Sequence, residues 1–198
     1  MNKVFFEQNH WSDPRGTIAS VYQDNDYGYV FHATSILIDV LEFVDWSILD
    51  CKGKSILDYG CGTGRVTRQF ALTGAKVEGY DPVTECILEA DKELEKIGDR
   101  YKKPMVLSDS LSDIGDNFDL IYCVNVIEHL DPITADIALM NIEQRMVDGA
   151  VCVIWIHASK NIHFCRQHNL DFGDHKGVVI VKGVKTNDAV QYTPIYRK

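Results

Sequence analysis

Residues 55–67 read Ser-Ile-Leu-Asp-Tyr-Gly-Cys-Gly-Thr-Gly-Arg-Val-Thr, and their reading decides the fold. A short apolar run, Ile56-Leu57, ends in Asp58. Glycines follow at alternate positions, Gly60, Gly62 and Gly64, and a helical pattern starts at once. Glycine reaches backbone angles closed to other residues and puts no Cβ in a ligand's way. A strand that turns into a helix through such a loop builds a narrow shelf for a cofactor containing a nucleoside. The spacing argues against two such cofactor loops. A dinucleotide fingerprint, G-x-G-x-x-G/A, would need a small residue at position 65, which is Arg65. A phosphate-binding P-loop would need Gly-Lys-Ser/Thr, and none follows.

On either side of this segment the chain alternates. Strand patterns are expected at 55–59, 76–80, 104–107, 118–124 and 150–157. Helical patterns are expected at 34–49, 64–73, 83–97, 132–147 and 159–169. Alternating strands and helices with short connections imply a parallel sheet covered on both faces. The nearly unbroken apolar runs at 118–124 and 150–157 suit central strands. Gly177–Val184 and Ala189–Tyr196 are too close together for a crossover helix, so they are expected to form an antiparallel hairpin. The expected fold class is therefore α/β: a Rossmann-like three-layer sandwich on a seven-stranded, mostly parallel sheet that ends in this hairpin. One domain is expected over 1–198. Residues 34–198 would form its core, and the aromatic stretch 1–33 (Phe5, Phe6, Trp11, Tyr22, Tyr27, Tyr29) would be an extension placed to serve as a lid.

Ligands of open α/β sheets lie beyond the carboxyl ends of the strands. The second strand ends at Asp81-Pro82, about twenty residues past the glycines, where a carboxylate can accept both hydroxyls of a ribose. Asp81 with Pro82 also suits the start of the next helix. The third strand ends at Ser108-Asp109-Ser110, where Asp109 is equally a turn residue. The fourth ends at Asn125-Val126-Ile127-Glu128-His129-Leu130.

Together, Asp58-Tyr-Gly-Cys-Gly-Thr-Gly64, Asp81, Asp109 and Asn125–Leu130 resemble the motifs of class I S-adenosylmethionine-dependent methyltransferases, in particular the methyltransferase type 11/12 group. The resemblance covers roughly residues 34–198, with its specific motifs within 55–130. It implies that S-adenosyl-L-methionine is the cofactor, held by Asp58, Gly60, Cys61, Gly62, Gly64, Asp81, Pro82, Asp109, Ser110, Asn125 and Val126. Asp109 would accept the adenine amino group, with Leu111 and Tyr80 against the ring, and Asn125 would lie beside the methionine end.

Methyl transfer from a sulfonium needs the acceptor held in line and, for some acceptors, a base. His129 is the first candidate base, because an imidazole titrates near neutrality. Glu128 would orient it, and His157, at the end of the fifth strand, is a second candidate. His157, His163, His168 and His175 lie six, five and seven apart, which fits no tight metal-binding pair, and no metal is expected. A metal-dependent RNA 2′-O-methyltransferase would carry E-x-x-E-H, but here the first glutamate is Asn125. That reading is a lesser alternative, beside a non-catalytic S-adenosylmethionine-binding partner subunit.

The bulk properties agree with an enzyme acting on the O, N or C of a small molecule. A net charge of −9 argues against a broad nucleic-acid surface. Residues 1–10 lack a signal-peptide core, and no apolar run reaches the roughly 20 residues of a membrane span. A cytoplasmic protein is therefore expected, with a homodimer as its one macromolecular association. The six cysteines form no C-x-x-C pair and read as reduced and structural. At Cys61 the backbone is expected to matter more than the thiol.

Overall fold

A computed structural model describes residues 26–97, 105–155, 178–186 and 189–195. The elements in order are α1 (Asp26–Val44), β1 (Ser55–Tyr59), α2 (Arg65–Leu72), β2 (Lys76–Tyr80), α3 (Thr84–Ile97), β3 (Met105–Ser108), β4 (Phe118–Val124), α4 (Pro132–Gln144), β5 (Met146–Trp155), β6 (Val178–Thr186) and β7 (Ala189–Ile195). The chain divides after Gly115 into two compact units. Each has the α/β character and parallel pairing that the sequence patterns imply.

In the first unit β1 pairs with β2 and β2 with β3, all parallel. The register sets Tyr59 opposite Tyr80 and Tyr80 opposite Ser108. Three strands running the same way therefore end level, and the turns that leave them emerge along one edge. Ile56, Leu57 and Val77 are fully buried between the strands and their covering helices. Helix α2 lies against β1 and β2, burying Val66, Phe70 and Ala71, while α3 lies against β3. Helix α1 packs on α2 through a stripe of Ala33, Ile36, Leu37, Val40, Leu41 and Val44.

The expected helix at 34–49 is displaced toward the N-terminus. It stops at Val44 because Asp45 takes a left-handed conformation (φ 58°) and the Trp46 N–H donates back to the Leu41 carbonyl at 3.0 Å. This is the bond that closes a helix end, here with aspartate where glycine is usual. Ile48, counted in the apolar stripe, lies instead in a short 3₁₀ turn (Ile48–Cys51) and is exposed. Asp50 Oδ2 closes that turn by accepting from both the N–H and the hydroxyl of Ser47, each at 2.7 Å.

In the second unit β4 and β5 are parallel, with Leu120 opposite Val151 and Val124 opposite Trp155. Leu120, Ile121, Tyr122 and Cys123 are buried in succession, as a strand covered on both faces requires. β5 begins at Met146, four residues before the expected start at 150. The helix expected to run to 147 ends at Gln144, and the strand carries Asp148-Gly149 as an irregularity between the pairs Phe118–Met146 and Leu120–Val151, with Gly149 at φ 77°. Helix α4 packs on β5 and buries Ala135, Ala138 and Ile142. Asp131 caps it, accepting from the N–H groups of Ile133 and Thr134, with Pro132 at the first helical position. Among the described residues no helix is long and apolar enough to cross a membrane. The aromatic residues up to 25, His157 and the helix expected at 159–169 lie outside the described residues, as do the side chains of Tyr27, Tyr29 and Glu128.

Candidate active site

The glycine loop is fastened to the end of β2 rather than left free. The N–H groups of Gly60 and Cys61 both donate to the Tyr80 carbonyl, at 2.7 and 2.9 Å, and the Gly62 N–H donates to Asp81 Oδ2 at 2.9 Å. Gly60, Gly62 and Gly64 all have positive φ, which other residues rarely adopt and which explains their alternation. Gly64 opens α2, and a Cβ there would stand 3.1 Å from the Ala90 Cβ of α3. Close approach at this point is thus served by position 64, and Arg65 is free to be large. Asp58 is buried at the end of β1, and its Oδ2 accepts from the Thr67 hydroxyl of α2 at 2.5 Å, tying the strand to the helix beyond the loop.

Of the two duties weighed for Asp81, the structure shows the one at the start of α3, and it adds another, bracing the glycine loop. Its Oδ1 accepts from the Val83 N–H at 3.0 Å and shapes the turn into α3, while its Oδ2 braces the loop at Gly62. Burial pushes its pKa up to about 6, against the partial relief of the Val83 and Gly62 amides. Each carboxylate oxygen keeps further lone pairs after these two bonds, so the group retains capacity for hydroxyl donors.

The turn after β3 is bonded to that after β2. The Asp81 N–H donates to the Ser108 carbonyl at 3.2 Å, and the Thr84 hydroxyl donates to Asp109 Oδ2. Ser108, buried, donates to Asp113 Oδ2 at 2.9 Å and accepts from the Ser110 N–H at 3.1 Å. Glu78 of β2 accepts from the Gly115 N–H at 2.7 Å, closing the turn at its far end. Asp58, Gly60, Cys61, Gly62, Gly64, Asp81, Pro82, Asp109 and Ser110 therefore fall on one connected set of strand ends.

Cys61 lies within this set as a packing group. It is buried, and its thiol is pushed well above the ordinary range, first by burial and then by the neighbouring Asp58 and Asp81 carboxylates. Its side chain rests on Gly79 of β2: a Cβ added at Gly79 would lie 2.6 Å from Leu107 Cδ2 and 3.1 Å from Cys61 Sγ. Gly79 is a site residue that sequence reasoning missed, although a glycine inside a strand pattern signals such close approach. Thr67, Thr84 and Glu78 were missed as well. Their sequence signals are only those of ordinary helix and strand positions.

In the second unit the predicted residues follow β4. Asn125 is exposed and left-handed (φ 56°), a conformation asparagine tolerates better than most residues. A 3₁₀ turn at Ile127–His129 follows, with the His129 N–H donating to the Val126 carbonyl at 3.0 Å and Ile127 buried as its anchor. His129 itself is partly exposed, two residues before the Asp131 cap of α4. Among the described residues no cluster of three His, Cys, Asp or Glu side chains could hold a metal.

Level parallel strand ends that carry a glycine loop and two following acids define a Rossmann-like nucleoside-cofactor domain. The methyltransferase domain profile matches residues 36–167, most of the chain, and the protein belongs to this family of class I S-adenosylmethionine-dependent methyltransferases. The chain is 30% identical over 129 residues to the ubiquinone biosynthesis O-methyltransferase of Azorhizobium caulinodans, a match covering 65% of this chain and 49% of that protein. It is 30% identical to the mitochondrial protein of the same name from Homo sapiens, over 65% of this chain and 36% of that one. The chain spans about half, or less, of the length of these curated relatives. In fold it is similar to the magnesium protoporphyrin IX methyltransferase of Synechocystis PCC 6803, solved with S-adenosylmethionine bound. The TM-score is 0.59 and the identity 17%, over 93% of this chain and 89% of that one.

The contact at Gly79 is testable. Gly79→Ala is expected to destabilise the protein by about 1–3 kcal/mol in urea unfolding, the usual cost of overpacking. Combining it with Leu107→Ala should cost less than the sum of the two single changes. Strict additivity would show that Gly79 does not bear this contact.

Proposed function

We propose that this protein transfers the methyl group of S-adenosylmethionine to a small-molecule acceptor, with a hydroxyl oxygen as the acceptor atom. The fastening of the glycine loop to Tyr80 and Asp81 carries the reading, because it presents a partly buried carboxylate at the end of the second strand, where a ribose would be gripped. The names of the relatives support an oxygen acceptor. Gly60, Cys61, Gly62 and Gly64 would line the cofactor with backbone, with Asp58 holding their loop to α2. Asp81, set by Pro82, would take the ribose hydroxyls, and Asp109 with Ser110 the adenine. The roles of Asn125 and Val126 beside the methionine end, and of Glu128, His129 and His157 around the acceptor, are supported by the resemblance of their segments alone. Antiparallel pairing of β5 with β6 and of β6 with β7 supports the seven-stranded form with a C-terminal hairpin. A cytoplasmic homodimer belongs to the proposal on sequence grounds.

When bound, the cofactor would supply an electrophilic methyl group, carried on its sulfonium, to the acceptor oxygen. The protein's part is chiefly to hold the acceptor in line, which can account for roughly 7–11 kcal/mol of the barrier. His129 would take the acceptor's proton on a ring nitrogen. His129→Ala is then expected to lower turnover at least tenfold in a methyl-release assay over a panel of hydroxylated acceptors, with little change in affinity for S-adenosylhomocysteine. Unchanged turnover removes His129 from the mechanism. Cofactor binding without turnover of any acceptor by the wild type would favour a non-catalytic partner subunit.

Asp81 predicts a pH dependence. Only its ionised form accepts both ribose hydroxyls, and in the free protein it ionises near pH 6. Affinity for S-adenosylhomocysteine should be flat above about pH 7 and fall by about tenfold per unit below 6. With a folded pKa above the ordinary 3.8, this carboxyl contributes stability that is fully present below about pH 4 and is lost as pH rises through 6. Weak binding at pH 5 is therefore not unfolding driven by Asp81. A flat profile from pH 8 to 5 in calorimetry would contradict the role given to Asp81.

A further inference from the structure

The turns after β2 and β3 are joined by two hydrogen bonds of different character. One is between backbone groups, Asp81 N–H to Ser108 carbonyl, and it follows from the parallel pairing of the strands. The other is between side chains 25 residues apart, Thr84 Oγ1 to Asp109 Oδ2, and no secondary structure requires it. Thr84 is the first residue of α3, so its position is set by the helix and by the Asp81–Val83 turn before it. Asp109 is exposed on its turn. An exposed carboxylate samples several rotamers unless a partner selects one, and ordering it when ligand arrives costs affinity. The Thr84 hydroxyl makes that selection beforehand. It occupies one lone pair of Oδ2 and leaves Oδ1 as an acceptor in a set direction.

We propose that Thr84 is a positioning residue that sets base selectivity in the cofactor site, by holding the Asp109 carboxylate where it accepts from an amino group on the purine. This rests on the reading of Asp109 as the adenine acceptor and extends it to a residue with no ligand contact of its own. A purine with a keto oxygen in place of the amino group would set acceptor against acceptor, an arrangement that costs far more than a missing contact. The held carboxylate therefore rejects hypoxanthine. A carboxylate free to rotate away would tolerate it.

The test is calorimetric titration of the full chain with S-adenosylhomocysteine and with its inosine counterpart, S-inosylhomocysteine. The wild type should prefer the adenine compound at least 100-fold. Thr84→Val, similar in shape but unable to donate, should cut that preference at least tenfold, and Thr84→Ser should restore it. A purely structural role for Thr84 would weaken both ligands equally and leave the preference unmoved. Should Thr84→Val fail to fold, Thr84→Ala carries the same comparison. Asp109→Ala separates the two levels of the argument. If it abolishes the preference while Thr84→Val leaves it intact, the role of Thr84 is overturned and the adenine reading stands. If neither variant changes the preference, the adenine reading falls as well.

Discussion

Three successive amides of the glycine loop, at Gly60, Cys61 and Gly62, donate to the end of β2, and the candidate site depends on this fastening. A loop of alternating glycines is a poor shelf by itself, since the freedom that lets it take left-handed angles also lets it take many others. The Tyr80 carbonyl and the Asp81 carboxylate remove that freedom. They can do so because parallel pairing brings Tyr59 level with Tyr80, so the loop leaving β1 meets the turn leaving β2. Gly79 completes the fit from below, where any side chain would collide with Cys61 and Leu107.

The same arrangement explains the electrostatics. A carboxylate taken partly out of water ionises reluctantly, and Asp81 is held near pH 6 although two backbone amides point at it. Such a group gains when a ligand brings further donors, and this is the behaviour asked of a ribose-binding acid. The thiols nearby respond in the opposite functional sense. Burial drives Cys61 and Cys86 up, Cys86 to about 12, so both stay protonated and pack as small apolar groups.

Much of this was legible in the sequence, because it rests on local rules. The strands at 55–59, 76–80 and 118–124 fall at their expected bounds, since apolar runs bounded by glycine or acid leave little choice. The errors lie where a local signal was overruled by a contact. Ile48 fits a helical stripe, but Asp45 ends the helix before it. The helical pattern extends to 147, but pairing with β4 starts β5 at Met146 and carries it through Asp148-Gly149. In the site, the loop and its acids were visible from spacing, whereas Thr84, Glu78 and Gly79 act through partners 25, 37 and, for Leu107, 28 residues away. No window of sequence encodes a hydrogen bond across two strand ends.

The central claim is that the end of β2 grips a nucleoside through Asp81. Its most direct test is a calorimetric titration of S-adenosylhomocysteine into the wild-type protein and the Asp81→Ala variant at pH 8, with folding of both checked by circular dichroism. The account predicts one-to-one binding by the wild type and a loss of about 100-fold or more in the variant, the order expected for two hydrogen bonds to a charged acceptor. Equal affinity of the two folded proteins would contradict it.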